Sequence, residues 1–156
     1  MKCGFRGPRK PHFTYILTDE ADKLFPKAYD ALLNQLISVL KNRLSPPEIE
    51  AVLREVGRAI AADTQGRSDA SFESRVQTAL KVLEAIGGSA EVEKHGDKIV
   101  IRGNGCPLAA AVSVHPEVCH LAETLVAEVV KAPVVERCDR NGRPSCRFEI
   151  DISGSK

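Results

Sequence analysis

The chain has 156 residues, 43% of them hydrophobic and 28% charged, with a formal net charge of +1. That length supports one domain of ordinary size with a small appendage, and the balanced charge excludes a polyelectrolyte that binds nucleic acid over its whole surface. No stretch reaches the ~18–20 consecutive apolar residues that span a bilayer, and no apolar signal segment opens the sequence, so the expectation is a cytoplasmic protein without a membrane partner.

Charge is uneven along the chain. Residues 1–18 carry Lys2, Arg6, Arg9, Lys10 and His12 and no acid. Residues 1–12 are rich in Gly, Pro and basic side chains and read as an exposed loop. Phe13–Leu17 is aromatic and β-branched, which predicts a short strand. Thr18 ahead of Asp19 and Glu20 suits a helix N-cap with acids in the first turn. From Asp19 to about Leu44, Leu24, Ala28, Leu32, Leu36 and Leu40 recur at helical spacing, flanked by Phe25, Tyr29, Leu33 and Val39. That apolar face is broad, and Pro26 divides or kinks its first turn.

Ser45-Pro46-Pro47-Glu48 is a strong helix start, with Ser as cap, Pro at the first position and Glu at the capping-box position. Ile49, Val52, Leu53, Val56 and Ile60 continue that second helix, and a polar loop follows from Asp63 to Asp69. A third helix carries Phe72, Val76, Leu80 and Leu83 on one face and stops at Gly87-Gly88. The period then changes. Ala90 and Val92, then Ile99 and Ile101, alternate on either side of His95-Gly96-Asp97, which predicts a β-hairpin. A helix starts after Cys106-Pro107 and breaks at His115-Pro116. Another runs from Pro116 to about Lys131 through Val118, Leu121, Ala122, Leu125 and Val129. A second hairpin, Val134–Cys138 and Ser145–Ile152, turns through Asp139-Arg140-Asn141-Gly142. N-terminal helices followed by hairpin, helix and hairpin make an α+β fold with an antiparallel sheet.

The main chemical signal is cysteine. Of five (Cys3, Cys106, Cys119, Cys138 and Cys146), four fall in the last third of the chain. The odd count and a reducing compartment argue against a disulfide framework. Cys106 stands where a strand gives way to a helix, Cys119 about one turn into the next helix, and Cys138 faces Cys146 across the last hairpin. Four thiolates suit zinc or an iron–sulfur cluster. Against that, there is no C-x-x-C pair, and a free Cys packs as a small hydrophobe; Cys146 shares its strand face with Phe148, Ile150 and Ile152. Spacing alone leaves a metal centre and plain core packing both open. His95 lies in a turn, His115 reads as a cap or loop residue before Pro116, and His120 points away from the face of Cys119. Glu48, Glu50, Glu55, Glu73 and Glu84 fit solvated helix faces. No nucleophile elbow, phosphate loop, dinucleotide fingerprint or H-E-x-x-H occurs, so no enzyme is expected.

Two stretches resemble one family. Gly7-Pro8-Arg9-Lys10-Pro11, then Tyr15-x-Leu17-Thr18 and Leu24-Phe25-Pro26, resemble the wing, last strand and connecting helix of a winged helix-turn-helix regulator. Gly105-Cys106-Pro107-Leu108, His115-Pro116-Glu117-Val118-Cys119, Ala132-Pro133-Val134, Arg137-Cys138 and Cys146-Arg147-Phe148-Glu149-Ile150 resemble the sensory region of repressors of the Suf iron–sulfur assembly operon. They are also similar to the related methanogen output domain. The resemblance implies a transcriptional regulator divided into a wing and strand remnant (1–18), a connecting and dimerisation helix (19–44) and an effector-sensing domain (45–152). It implies a homodimer and an iron–sulfur cluster held by Cys106 and Cys119, with Cys138 and Cys146 completing the set. Ala132 stands where some members carry a cysteine. It implies specific DNA binding only where a helix-turn-helix precedes residue 1; within this chain Arg6, Arg9 and Lys10 are left to make salt-sensitive phosphate contacts. A metal-free small-molecule-binding module and a zinc-stabilised structural domain are the alternatives.

Overall fold

A computed structural model describes residues 2–4, 12–14, 28–64 and 71–152 of the chain. Strand β1, Lys2–Gly4, pairs antiparallel with β2, His12–Thr14. Part of the stretch expected to be loop is therefore a strand. Lys-Cys-Gly has little strand propensity of its own, and main-chain pairing supplies what composition cannot show. The strand expected at Phe13–Leu17 starts one residue earlier. Arg6, Arg9, Lys10 and the helix start around Thr18 to Pro26 lie outside the described residues, and so does the side chain of Cys3.

Helix α1 spans Ala28–Lys41 and α2 spans Pro46–Thr64. Between them the expected capping box forms: the Ser45 amide donates to the Glu48 carboxylate at 2.7 Å, and the Ser45 hydroxyl donates to the same oxygen at 2.6 Å. Helix α3, Phe72–Ala85, opens on a Ser71 side chain that accepts from the Ser74 amide. It ends in a Schellman motif. Gly87, at φ 91°, donates to the Glu84 carbonyl, and Gly88 donates to that of Leu83.

The sheet follows. Strands β3, Ala90–His95, and β4, Lys98–Gly103, form the first hairpin around Gly96 at φ 58°. Helix α4 is a single turn, Ala109–Val112, followed by a 3-10 turn at Pro116–Val118 and helix α5, Cys119–Val130. Strands β5, Val134–Glu136, and β6, Arg147–Asp151, complete it. The two hairpins are joined: β4 pairs with β6, giving one four-stranded antiparallel sheet in the order β3-β4-β6-β5. Ile99 stands opposite Ile150 and Ile101 opposite Phe148, so the inward residues of both hairpins form one apolar face. The fold is α+β, as the change of period predicts.

Two buried apolar clusters hold it together. The larger packs the inner face of the sheet (Ile99, Ile101, Phe148, Ile150) against α3 and α5. The smaller joins Ile37 of α1 and Ile49 and Leu53 of α2 to Ala111, Val112, Val118 and Cys119. Helices α2 and α5 approach closely at Gly57, where a Cβ would lie 2.5 Å from the Leu121 carbonyl oxygen. Helix α1 has two apolar sides. Leu33, Ile37 and Leu40 face the smaller cluster, while Tyr29, Leu32, Leu36 and Val39 are exposed, with Tyr29 85% accessible.

Candidate metal centre

Four elements each bring one cysteine to the junction of the two clusters. Cys106 follows β4; the turn after it closes through the Ala109 amide donating to the Cys106 carbonyl at 3.1 Å. Cys119 is the first residue of α5, directly after the 3-10 turn. The sequence places it a turn deeper, because a proline after His115 does not reveal whether the first turn is 3-10 or α. Cys138 and Cys146 flank the last hairpin, in the register that pairs Glu136 with Phe148 and Asp139 with Ser145. Cys119 and Cys146 are buried, and Cys106 and Cys138 are half-buried.

The four cysteines are neighbours in a chain, although no three of their sulfurs lie within 4.8 Å of one another. Cys119 lies against Cys138, Cys138 against Cys146, and Cys146 against Cys106. They enclose, with Ala122 and Phe148, a space of about 10 Å³, which holds about one water-sized sphere. Cys106 also opens onto a surface groove of about 510 Å³ that includes Ser89, Asn104 and Arg143.

Protonation follows from these contacts. Cys106 receives a hydrogen bond from the Cys146 thiol, with the Leu108 amide adding to it, and is held below the ordinary thiol value despite burial. Donating to Cys106 pushes Cys146 up to about 12, helped by burial against the opposing contact from Cys138. Cys138 is lowered by a hydrogen bond from Cys119, but its contact with Cys146 and its burial outweigh that and push it up to about 12. Cys119, which donates to Cys138 and is buried, is raised furthest, although Arg140 partly opposes this. Of the four, Cys106 is thus the one that loses its proton most readily, and the other three hold theirs more tightly. A divalent cation would have to displace those protons.

Two residues not singled out from the sequence belong to the same place. One carboxylate oxygen of Glu136 and the sulfurs of Cys119 and Cys138 all lie within 4.8 Å of one another, a group able to hold a metal ion. Glu136 also accepts from the Cys138 amide and from Arg140. Glu136 precedes Cys138 by two positions, the spacing that puts both on one face of an extended chain, and this was the available signal. The Cys138 sulfur in turn accepts the Arg147 amide at 3.2 Å. Behind the strand, the Glu136 amide donates to Glu123 at 3.1 Å, and Glu123 pairs with Arg54 of α2 at 3.1 Å.

The histidines stand apart from the thiols. His95 is exposed and meets Glu93 at 3.1 Å. His120 contacts Arg54 and Glu123, away from the cysteines as its helical position predicts. His115 is the N-cap of the 3-10 turn but is buried, only 4% accessible, against α1. No helix among the described residues is long and apolar enough to cross a membrane. Compared with models of known protein families and with curated proteins, the chain matches none.

Proposed function

We propose that this chain is the effector-sensing domain of a transcriptional regulator and that the four-thiol centre is its effector site. The observation that carries the reading is convergence: Cys106, Cys119, Cys138 and Cys146 come from separate segments of the chain and together line one small space at the junction of two cores. Plain core packing does not call for four neighbouring thiols. Soft sulfur donors select zinc or iron over harder cations.

The donor set fits a metal. A tetrahedral ion with metal–sulfur bonds of ~2.3 Å sets its sulfurs about 3.8 Å apart; among the described residues only Cys119 and Cys138, with Glu136, stand within 4.8 Å of one another as a group, so Cys106 and Cys146 would have to close on the ion. Cys106, Cys119, Cys138 and Cys146 would hold it as thiolates, with Glu136 next to the pair Cys119 and Cys138. When bound, such a centre supplies a cross-link between the sheet and α5 and, for iron, a response to oxidants. An iron–sulfur cluster, which the family resemblance implies, spreads its cysteines over different irons and needs more room between the sulfurs than the space of about 10 Å³ they line. The tight packing around them favours a single ion. The protein's own part is to position the four donors, exclude bulk water with Phe148, Ala122 and Val118, and leave Cys106 open to the groove.

The exposed stripe of α1 supports a homodimer. Tyr29, Leu32, Leu36 and Val39 follow one another at alternating spacings of three and four, the a/d pattern of a two-helix seam. The test of the centre is metal and sulfide analysis of protein purified without oxygen, alongside Cys106→Ser and Cys119→Ser. About one zinc or iron per chain without sulfide supports the single ion, and iron with acid-labile sulfide supports the cluster instead. Wild-type protein without metal, or variants that retain full loading, would refute the centre.

A further inference from the structure

Segment 107–118 runs from one proposed ligand to another, and it is also where α1 docks. Its ends adjoin Cys106 and Cys119. Between them, the Asn34 side-chain amide donates to the Ala110 carbonyl at 3.3 Å. His115 Nε2 lies 3.3 Å from the Asn34 carbonyl and 3.4 Å from the Ser38 hydroxyl. The carbonyl can only accept, so these partners place the imidazole proton on Nε2. Lys41 pairs with Glu117 at 2.6 Å. Under these polar contacts Ile37 shares a buried cluster with Ala111, Val112, Val118 and Cys119.

We propose that this segment is a clasp that reports the state of the thiol centre to α1. The proposal rests on the metal-centre reading and adds the route by which occupancy acts. With Cys106 and Cys119 tied to one centre, the clasp is closed at both ends and its carbonyl, imidazole and carboxylate are presented to α1 in register. Released, the segment is held only by its own small apolar cluster.

The joint is built to open more easily than the rest of the molecule. Asn34 Oδ1 and His115 Nδ1 are buried in it with no hydrogen-bond partner. A buried polar atom without a partner carries a desolvation cost that opening to water relieves. The sheet carries one such atom, Arg147 Nε, against two in this joint. Elements held in this way open at lower free energy than the global fold. Because α1 also carries the exposed Tyr29, Leu32, Leu36 and Val39 stripe, loosening the clasp lets the helix through which two chains would meet shift against the rest of the domain.

Hydrogen exchange on the full chain tests this, comparing zinc-loaded reduced protein with protein stripped by a chelator, with metal content measured in the same samples. The expectation is that amides of residues 28–41 exchange at least about tenfold faster after stripping, while those of β4 and β6 change little. In Asn34→Ala, and more mildly in the exposed variant Lys41→Ala, α1 should exchange fast in both states with zinc loading unchanged. Wild-type protein that loads zinc but shows no change in α1 overturns the clasp and leaves the centre standing. So does a variant that loads zinc and retains the full zinc-dependent protection. Wild-type protein that takes up no zinc overturns the centre itself.

Discussion

Replacing Gly57 by alanine sets two effects of known size against each other. In an exposed helix interior the change gains about 1 kcal/mol, because glycine is the costlier residue to hold in a helix. Here the new Cβ would sit 2.5 Å from the Leu121 carbonyl oxygen, about 0.9 Å inside the 3.4 Å at which ordinary contact begins. It would also lie 3.1 Å from the Leu125 amide nitrogen and 3.2 Å from the Thr124 Cβ. Two of these neighbours are backbone, so no rotamer change relieves them and α2 and α5 must part. Overpacking of this kind costs roughly 1–3 kcal/mol. Parting the helices also stretches the Arg54 contacts to Glu123 and Thr124, at 3.1 and 3.3 Å. The expected net effect is therefore a loss of up to about 2 kcal/mol. Urea unfolding of the reduced, metal-free protein measures it as a lower midpoint at unchanged slope, with Ala51→Gly, on the exposed side of α2, as the propensity control. A Gly57→Ala protein stabilised by the full helix gain would refute the close approach of the two helices.

Three further outcomes follow from particular contacts. Leu36→Glu places a charge in the exposed stripe of α1 and should convert a dimer to a monomer in sedimentation equilibrium with metal loading intact; an unchanged mass places the interface elsewhere. Lys131 ends α5 in the left-handed region at φ 55°, where glycine carries no steric penalty, so Lys131→Gly should raise stability by about 1 kcal/mol; a lower melting temperature would contradict it. Burial raises the Glu117 carboxyl, but the Lys41 hydrogen bond and charge, with a backbone amide, together hold the group below the ordinary 4.5, and Ser45 likewise lowers Glu48. Groups depressed in the folded state stabilise it above their unfolded value and lose that contribution as pH falls through the folded one. Urea midpoints should therefore decline on acidification below about pH 4.5, and a rise there would contradict both pairings.

Much of the fold was legible because local signals and tertiary structure agree. Ser45 with Glu48, Ser71 and Gly87-Gly88 mark helix ends with backbone chemistry that acts within a few residues. The alternation of Cys146, Phe148 and Ile150 identified the buried face of β6, and these residues are 9%, 0% and 0% accessible. What stayed hidden is long-range. Nothing local shows that β4 pairs with β6, which turns two hairpins into one sheet and carries Cys106 to Cys146. The broad apolar face of residues 24–44 resolves only in three dimensions into an inner side at Leu33 and Ile37 and an outer one at Leu32 and Leu36. His115 looked like a loop residue because Pro116 follows it, but its burial depends on α1, some eighty positions earlier. The four cysteines were picked out by residue type. Glu136 and Arg140 were missed because their relation to Cys119 crosses from the hairpin to a helix.

In the proposed centre one ion draws together four thiols from separate segments of the chain. Cobalt(II) titration of the reduced chain in the absence of oxygen tests it most directly, since the visible spectrum reports both geometry and sulfur ligation. About one equivalent should saturate intense visible bands of a tetrahedral ion together with sulfur-to-metal charge transfer, zinc should displace them, and Cys106→Ser or Cys119→Ser should weaken both. A pale octahedral spectrum, or bands that survive in both variants, would contradict the account.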